Sequence, residues 1–197
     1  MVYRDGSGLA RLGFGTSGHV LTTKGTGANP VWEAAVGGKV GQVVHTAYDG
    51  VQQSSSIDNA DVSTRFLITI TPSATSSKVL VFGHIQMTMS AGYGGYGIWF
   101  TREISGGATT TVGTATGGSN SQSNYHSQSI NTNGAGVSEG SGSAAPFSFI
   151  DSPSTTSATT YRLQIRGVTG CANLRIGGGS ATGQKFITPF TAMEILA

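Results

Sequence analysis

The sequence predicts an all-β protein: an antiparallel, jelly-roll-like β-sandwich head preceded by an extended Gly-rich N-terminal arm. Three observations carry that expectation. Apolar residues recur at alternate positions in several segments, those segments are bounded by Gly, Pro, Asn, Asp and Ser, and no stretch shows the apolar stripe of an amphipathic helix. Only 10% of the 197 residues are charged while Gly numbers 31, so polarity rests on hydroxyl and amide side chains and on backbone. The β-branched and aromatic runs argue against a disordered chain, which would lack apolar surface to offset its ordering entropy.

Residues 1–38 carry isolated apolar side chains (Leu9, Leu12, Phe14, Val20, Leu21, Val31, Trp32) spaced too loosely for a core of their own. They are expected to order against another surface. Strand-like punctuation begins near residue 39, which places the boundary at Gly37-Gly38 and gives an arm of residues 1–38 and a head of residues 39–197. In the head, a strand is expected at Gln42–Thr46. Arg65–Thr71 and Lys78–Met89 alternate strictly, with Phe66, Ile68 and Ile70 and then Val79, Val81, Ile85, Met87 and Met89 on one face each. The intervening residues Pro72 to Ser77 are turn formers, and the pair reads as an antiparallel hairpin.

Further strands are expected at Tyr96–Glu103, Pro146–Ile150, Asn173–Ile176 and Thr188–Leu196. In Tyr161–Arg166 the apolar Tyr161, Leu163 and Ile165 alternate with Arg162, Gln164 and Arg166, so one face is core and the other meets water or a neighbour. Residues 105–145 are nearly all Gly, Ser, Thr, Asn and Gln. Because a structureless loop of that length is improbable in a compact domain, short polar strands are expected at Thr109–Ala115 and Asn124–Ile130. They bury little apolar surface and need sheet neighbours or other subunits to hold them.

Several function classes find no support. Net charge is +2 with cationic residues scattered singly, so nothing suggests nucleic-acid binding. No apolar run reaches the length of a membrane span or of a signal peptide, and membrane insertion is not expected. Cys171 is the single cysteine, excluding an intrachain disulfide and a cysteine-based zinc site. His19, His45, His84 and His126 lack metal-ligand spacing, so no metal site and no cofactor is expected within one chain. A threefold assembly would be needed to gather His84 or His126 on an axis.

Gly92-Tyr93-Gly94-Gly95-Tyr96-Gly97 formally satisfies a dinucleotide-binding glycine pattern, but Ile98-Trp99-Phe100 continues as strand where that motif needs a helix N-terminus. A tight turn explains it better. The nine acids are dispersed and no nucleophile elbow occurs, so the chain is not expected to be an enzyme. Tyr93 and Tyr96 have the polar-tipped aromatic character suited to sugar stacking, and Asn120, Gln122, Asn124 and His126 lie in the hydroxyl- and amide-rich stretch. These six are the candidate receptor or glycan contacts.

The segment Gly15-Thr16-Ser17-Gly18-His19-Val20-Leu21-Thr22-Thr23-Lys24-Gly25-Thr26-Gly27-Ala28-Asn29-Pro30-Val31-Trp32 resembles one found in bacteriophage tail-fibre proteins. There it runs G-x-x-G-Q-V-L-T-T-N-G-x-G-A-x-P-x-W; this chain departs at His19 and Lys24. Physically, Val20-Leu21-Thr22 suits a short strand and Val31-Trp32 a return strand. Phe147 to Tyr161 and Thr191 to Leu196 are likewise similar to the C-terminal heads of such fibres.

The resemblance implies a structural protein of a virion, a short tail-fibre or spike head in a homotrimer that contacts a host surface glycan or protein. Few residues precede the motif, so a shaft is expected on another virion protein, with Leu12, Phe14, Val20, Leu21, Val31 and Trp32 as docking residues. A capsid or tail decoration protein without a receptor role fits the same features.

Overall fold

A computed structural model describes residues 1–35, 39–50, 52–56, 61–91, 94–113, 126–130, 142–167, 172–177 and 186–197. Met1–Gly38 and Lys39–Ala197 form two separate compact units. The first holds two local hairpins. β1 (Val2–Asp5) pairs with β2 (Gly8–Arg11), and β3 (His19–Thr22) pairs with β4 (Val31–Ala34). Asp5 closes the first turn by accepting from the Ser7 hydroxyl at 2.8 Å and from the Ser7 and Gly8 amides at 2.8 and 3.0 Å. Those donors hold its carboxyl below the ordinary carboxylate range.

The second unit is a sandwich built from β5 (Val40–Tyr48), β6 (Gln52–Ser56), β7 (Asp61–Ile70), β8 (Lys78–Ala91), β9 (Gly94–Ile104), β10 (Thr110–Val112), β11 (His126–Ile130), β12 (Gly142–Asp151), β13 (Thr159–Gly167), β14 (Ala172–Ile176) and β15 (Thr188–Ile195). One sheet runs β5-β15-β8-β12, and the other runs β7-β13-β9 with β10 and β11 successively along the far side of β9. Strands β14 and β6 extend the first sheet at the end of β8 beyond β15. Apart from these two, the successive connections β5 to β7, β7 to β8, β8 to β9, β12 to β13 and β13 to β15 all carry the chain from one sheet to the other. That alternation is the jelly-roll arrangement.

The expected hairpin of Arg65–Thr71 with Lys78–Met89 is therefore not formed. β7 pairs with β13, whereas β8 pairs with β12, β15 and β14. Both strands do turn their alternating apolar faces inward, but toward each other across the core. A Pro-containing corner of polar residues serves a sheet switch as well as a hairpin, and periodicity alone does not separate the two. The polar middle forms β10 and β11 inside the two expected ranges, each held by pairing to β9. β6 has no counterpart among the expected strands.

Alternation fills the space between the sheets. Phe66, Ile68, Ile70, Ile98, Phe100, Tyr161, Leu163 and Ile165 come from one sheet and Val79, Val81, Ile85, Met87, Phe147, Phe149, Phe190 and Ala192 from the other, all buried. Phe100 is the centre of the aromatic cluster, with ring centroids 4.7 Å from Phe147, 5.0 Å from Phe149 and 6.0 Å from Phe190. Gly83, between Phe147 of β12 and Phe190 of β15, leaves no room for a side chain, because a Cβ there would collide with the Pro189 carbonyl oxygen and the Phe147 ring.

Two inward-facing acids close one end of the sandwich, since Asp151 and Glu194 flank Val79 from opposite neighbouring strands. Asp151 accepts from Arg102 Nη1 at 2.9 Å and from the Tyr161 hydroxyl at 2.8 Å, tying β12 to β9 and β13 across the sheets. Glu194, 1% exposed, accepts from the Ser73 amide at 2.6 Å, the Ser73 hydroxyl at 2.7 Å and Gln42 Nε2 at 2.9 Å. On the open side of β7, the Tyr48 hydroxyl donates to the Leu67 carbonyl at 2.6 Å and accepts from the Leu67 amide at 3.2 Å, so one side chain satisfies both edge groups.

Candidate functional site

The arm's sequence motif forms the β3-β4 hairpin, with Leu21 opposite Trp32 and Val20 opposite Glu33. Strand alternation places Leu21 and Trp32 on one face and Val20, Val31 and Glu33 on the other. The Trp32 indole N–H donates to the Gly13 carbonyl at 2.9 Å. Its ring lies against Gly15, where a Cβ would stand 2.5 Å from the indole. The first glycine of the motif is thus needed for close approach to the motif's last residue, a physical reason for pairing these two residue types.

Lys24, where the tail-fibre segment has Asn, forms an ion pair with Glu33 on the opposite face. Of the docking candidates, Phe14 is 94% exposed, Val20 48% and Trp32 38%, while Leu12, Leu21 and Val31 are half-buried. The Arg11 guanidinium sits 5.4 Å from the Phe14 ring centre.

Of the six candidate receptor contacts, Tyr93, Asn120, Gln122 and Asn124 lie outside the described residues. Tyr96 and His126 fall on adjacent strands, Tyr96 opposite Gln128 and His126 opposite Ile98, and their side chains lie outside the described set. What the described residues do form is a concave polar patch on the outer face of the β7-β13-β9-β10 sheet. It is lined by Thr101, Glu103, Thr109, Thr160, Arg162 and Gln164 and encloses about 260 Å³.

Pairing register builds this patch. Thr160 lies between Thr69 and Glu103, and Arg162 lies between Leu67 and Thr101. The Thr69 and Thr160 hydroxyls are 2.8 Å apart, and Gln164 Nε2 donates to the Thr101 hydroxyl at 3.0 Å. Arg162 Nη1 donates to the Thr64 carbonyl at 2.8 Å, which steadies the guanidinium while leaving other N–H groups toward the patch. Next to it the Glu103 carboxylate supplies acceptors. Donor and acceptor groups side by side over hydroxyls match a polyhydroxylated ligand, whose adjacent hydroxyls donate and accept at once.

Comparison with solved structures finds several of infectious bursal disease virus. The Gt strain structure is 13% identical with a TM-score of 0.42, over 91% of this chain and 43% of that one. The Gx strain structure is 12% identical at 0.40, over 96% and 43%. The VP2 subviral particle is 18% identical at 0.40, over 96% and 39%. The likeness is one of β-architecture. The chain spans less than half the length of those it matches. No protein-family model matches the sequence, and no curated protein matches it significantly.

The buried polar groups of the sandwich are built for holding. Burial, and then the negative charge of Asp151, push the Tyr161 phenol far above its ordinary value, so it stays a neutral donor. Burial alone would raise the Glu194 carboxyl, but the Ser73 hydroxyl, Gln42 amide and Ser73 N–H outweigh it and hold the group at about 2. Both acids spend their oxygens on structural donors. Among the described residues, no three His, Cys, Asp or Glu side chains gather as a metal site.

The Glu103–Arg162 patch was missed by sequence reasoning, although Arg162 and Gln164 were assigned to a water- or partner-facing side. The missing signal was register: only the pairing of β13 with β9 shows that Glu103 and Thr101 stand beside them.

Proposed function

We propose that this chain is a structural protein of a tailed-phage particle, a short tail-fibre or spike head that attaches through its N-terminal unit and meets the host surface with its sandwich. The observation that carries this is the arm: the segment resembling tail-fibre proteins closes into its own hairpin, pinned by Trp32 on Gly13 and Gly15 and leaving Phe14 and Val20 exposed. Exposed apolar groups on a small, separate unit are what docking to a larger partner uses. The jelly roll, a fold also found in capsid and lectin domains, supplies a rigid platform without itself specifying the task.

The host contact is assigned to the polar patch around Glu103 and Arg162, with a surface saccharide as ligand, and the action is binding without catalysis. The test is particle assembly and adsorption with full-length chains. Leu21→Ala with Trp32→Ala should lower incorporation into particles, and Glu103→Gln with Arg162→Ala should leave incorporation normal while reducing adsorption to host cells. Normal adsorption by the second variant, together with capsid placement in imaged particles, would favour the decoration role. Release of sugar from host polysaccharide would overturn the non-enzymatic reading.

A further inference from the structure

We propose that the Glu103–Arg162 patch selects uncharged saccharides, taking one sugar ring through adjacent hydroxyls and rejecting sugars that carry a carboxylate. This selectivity rests on the saccharide-binding role of the patch and decides which saccharides enter it. Glu103 and Arg162 are diagonal neighbours on adjacent strands, since Glu103 stands opposite Thr160 and Arg162 opposite Thr101. Across such a diagonal, roughly 7–8 Å between backbones, two long side chains of opposite charge are within reach of each other. They do not close. Among the described residues the ion pairs are Lys24–Glu33 and Arg102–Asp151, and the Glu103 carboxylate has no hydrogen-bond donor. The tether on Arg162 explains the gap: its Nη1 donates to the Thr64 carbonyl at 2.8 Å. Thr64 belongs to β7 and Glu103 to β9, with β13 running between them, so the guanidinium is drawn away from the carboxylate. Both groups line the same concavity of about 260 Å³.

An open pair of opposite charges treats neutral and anionic ligands differently. A neutral sugar satisfies both at once, because one ring hydroxyl accepts from Arg162 while the next donates to Glu103. Neither charge is then left without a partner when the ligand displaces water. A uronate or sialate carboxylate also accepts from Arg162, but it brings a second negative charge to within about 7 Å of Glu103, and that repulsion offsets much of the attraction. With one positive and one negative lining group, the patch has no net field to draw an anion in. The other lining residues, Thr101, Thr109, Thr160 and Gln164, are uncharged, and none of the six is aromatic. Without a ring to stack on, recognition depends on hydrogen bonds, where exchanging a hydroxyl for a carboxylate is felt directly. The volume also falls below the roughly 300–1,000 Å³ of pockets that hold larger ligands, which suits a single sugar ring.

A glycan array carrying neutral, uronate-bearing and sialylated glycans, probed with the full-length chain, should give its signals on neutral residues. The methyl glycoside of the strongest-bound residue is then titrated beside the corresponding uronate and followed by ligand-observed NMR. The neutral member should bind at least about tenfold more tightly. Glu103→Gln removes the repelling charge and leaves Arg162 in place, so that preference should shrink at least about fivefold, the neutral sugar binding more weakly and the uronate more tightly. The variant's circular dichroism spectrum and melting temperature should match those of the native chain, because Glu103 is a half-buried surface position. Arg162→Gln should weaken both members of the pair. Signals strongest on acidic glycans, a uronate bound as tightly as its neutral counterpart, or a preference unmoved by Glu103→Gln would overturn the charge selection while leaving the patch a saccharide site. An array blank for neutral and acidic glycans alike would overturn the saccharide site itself and the selectivity with it.

Discussion

The two outer faces of the sandwich are made by the same alternation over the same core, yet they carry opposite chemistry. On the β7-β13-β9-β10 sheet the outward rows are Thr69, Thr160 and Glu103, then Leu67, Arg162, Thr101 and Thr111. On the β5-β15-β8-β12 sheet the corresponding row is Val43, Met193, Leu80 and Ile150. A polar face needs only water, so it is free to take a hydrogen-bonding ligand. The apolar row loses free energy while it stays wet, at about 25 cal/mol per Å². The difference teaches that a sandwich's inner faces settle its fold while its outer faces are left free to differ in chemistry.

The largest way to break the comparison is through the core that both faces share. Phe100→Ala should cost about 3–5 kcal/mol, because Phe100 touches three aromatic rings from the opposite sheet and a cavity would remain. Denaturant titration should show both faces lost in one transition. A smaller loss, about 1–3 kcal/mol, is expected for Tyr161→Phe, which removes a buried donor to Asp151 and loosens the tie between the sheets.

The Glu194 cluster supplies a pH test at the edge of the apolar face. Its carboxyl is held at about 2 against an ordinary 4.5, so the folded state favours the ionised form. Its stabilising contribution is complete above pH 4.5 and is lost as pH falls toward 2. The melting temperature should fall through that window in the native chain. Glu194→Gln should melt lower at neutral pH, with the two curves converging near pH 2. Parallel curves would show that the cluster does not couple to protonation.

The smallest stability effect, and the sharpest functional one, belongs to the polar face. Glu103→Gln should move stability by less than about 0.5 kcal/mol, since it is a half-buried surface position. Saccharide binding measured by glycan array or ligand-observed NMR should nevertheless drop. Equal binding by native and variant chains would remove the patch from the functional account.

Much of the fold was legible because period-two alternation is a local property. Phe66, Ile68 and Ile70, the Val79–Met87 series and Tyr161, Leu163 and Ile165 could be assigned to the core from spacing alone, and they lie there. The polar strands β10 and β11 followed from the improbability of a long structureless loop. The partner of each strand was not legible, and the β7–β8 corner shows why: Pro72 to Ser77 suits a hairpin and a crossing between sheets equally. The outer-face sites depend on register as well. Arg162 and Glu103 are 59 positions apart in sequence, and Val43 and Ile150 are joined only through β15 and β8.

By itself, then, the sequence determined the class of structure: strands, their inward faces and a recognisable arm motif, since each follows from interactions among near neighbours in the chain. The tertiary structure alone decided how strands join as a jelly roll, which acids close its end and which side chains share an outer face. Those outcomes depend on hydrogen-bonded pairing between distant segments, and a one-residue shift in pairing would place different side chains together.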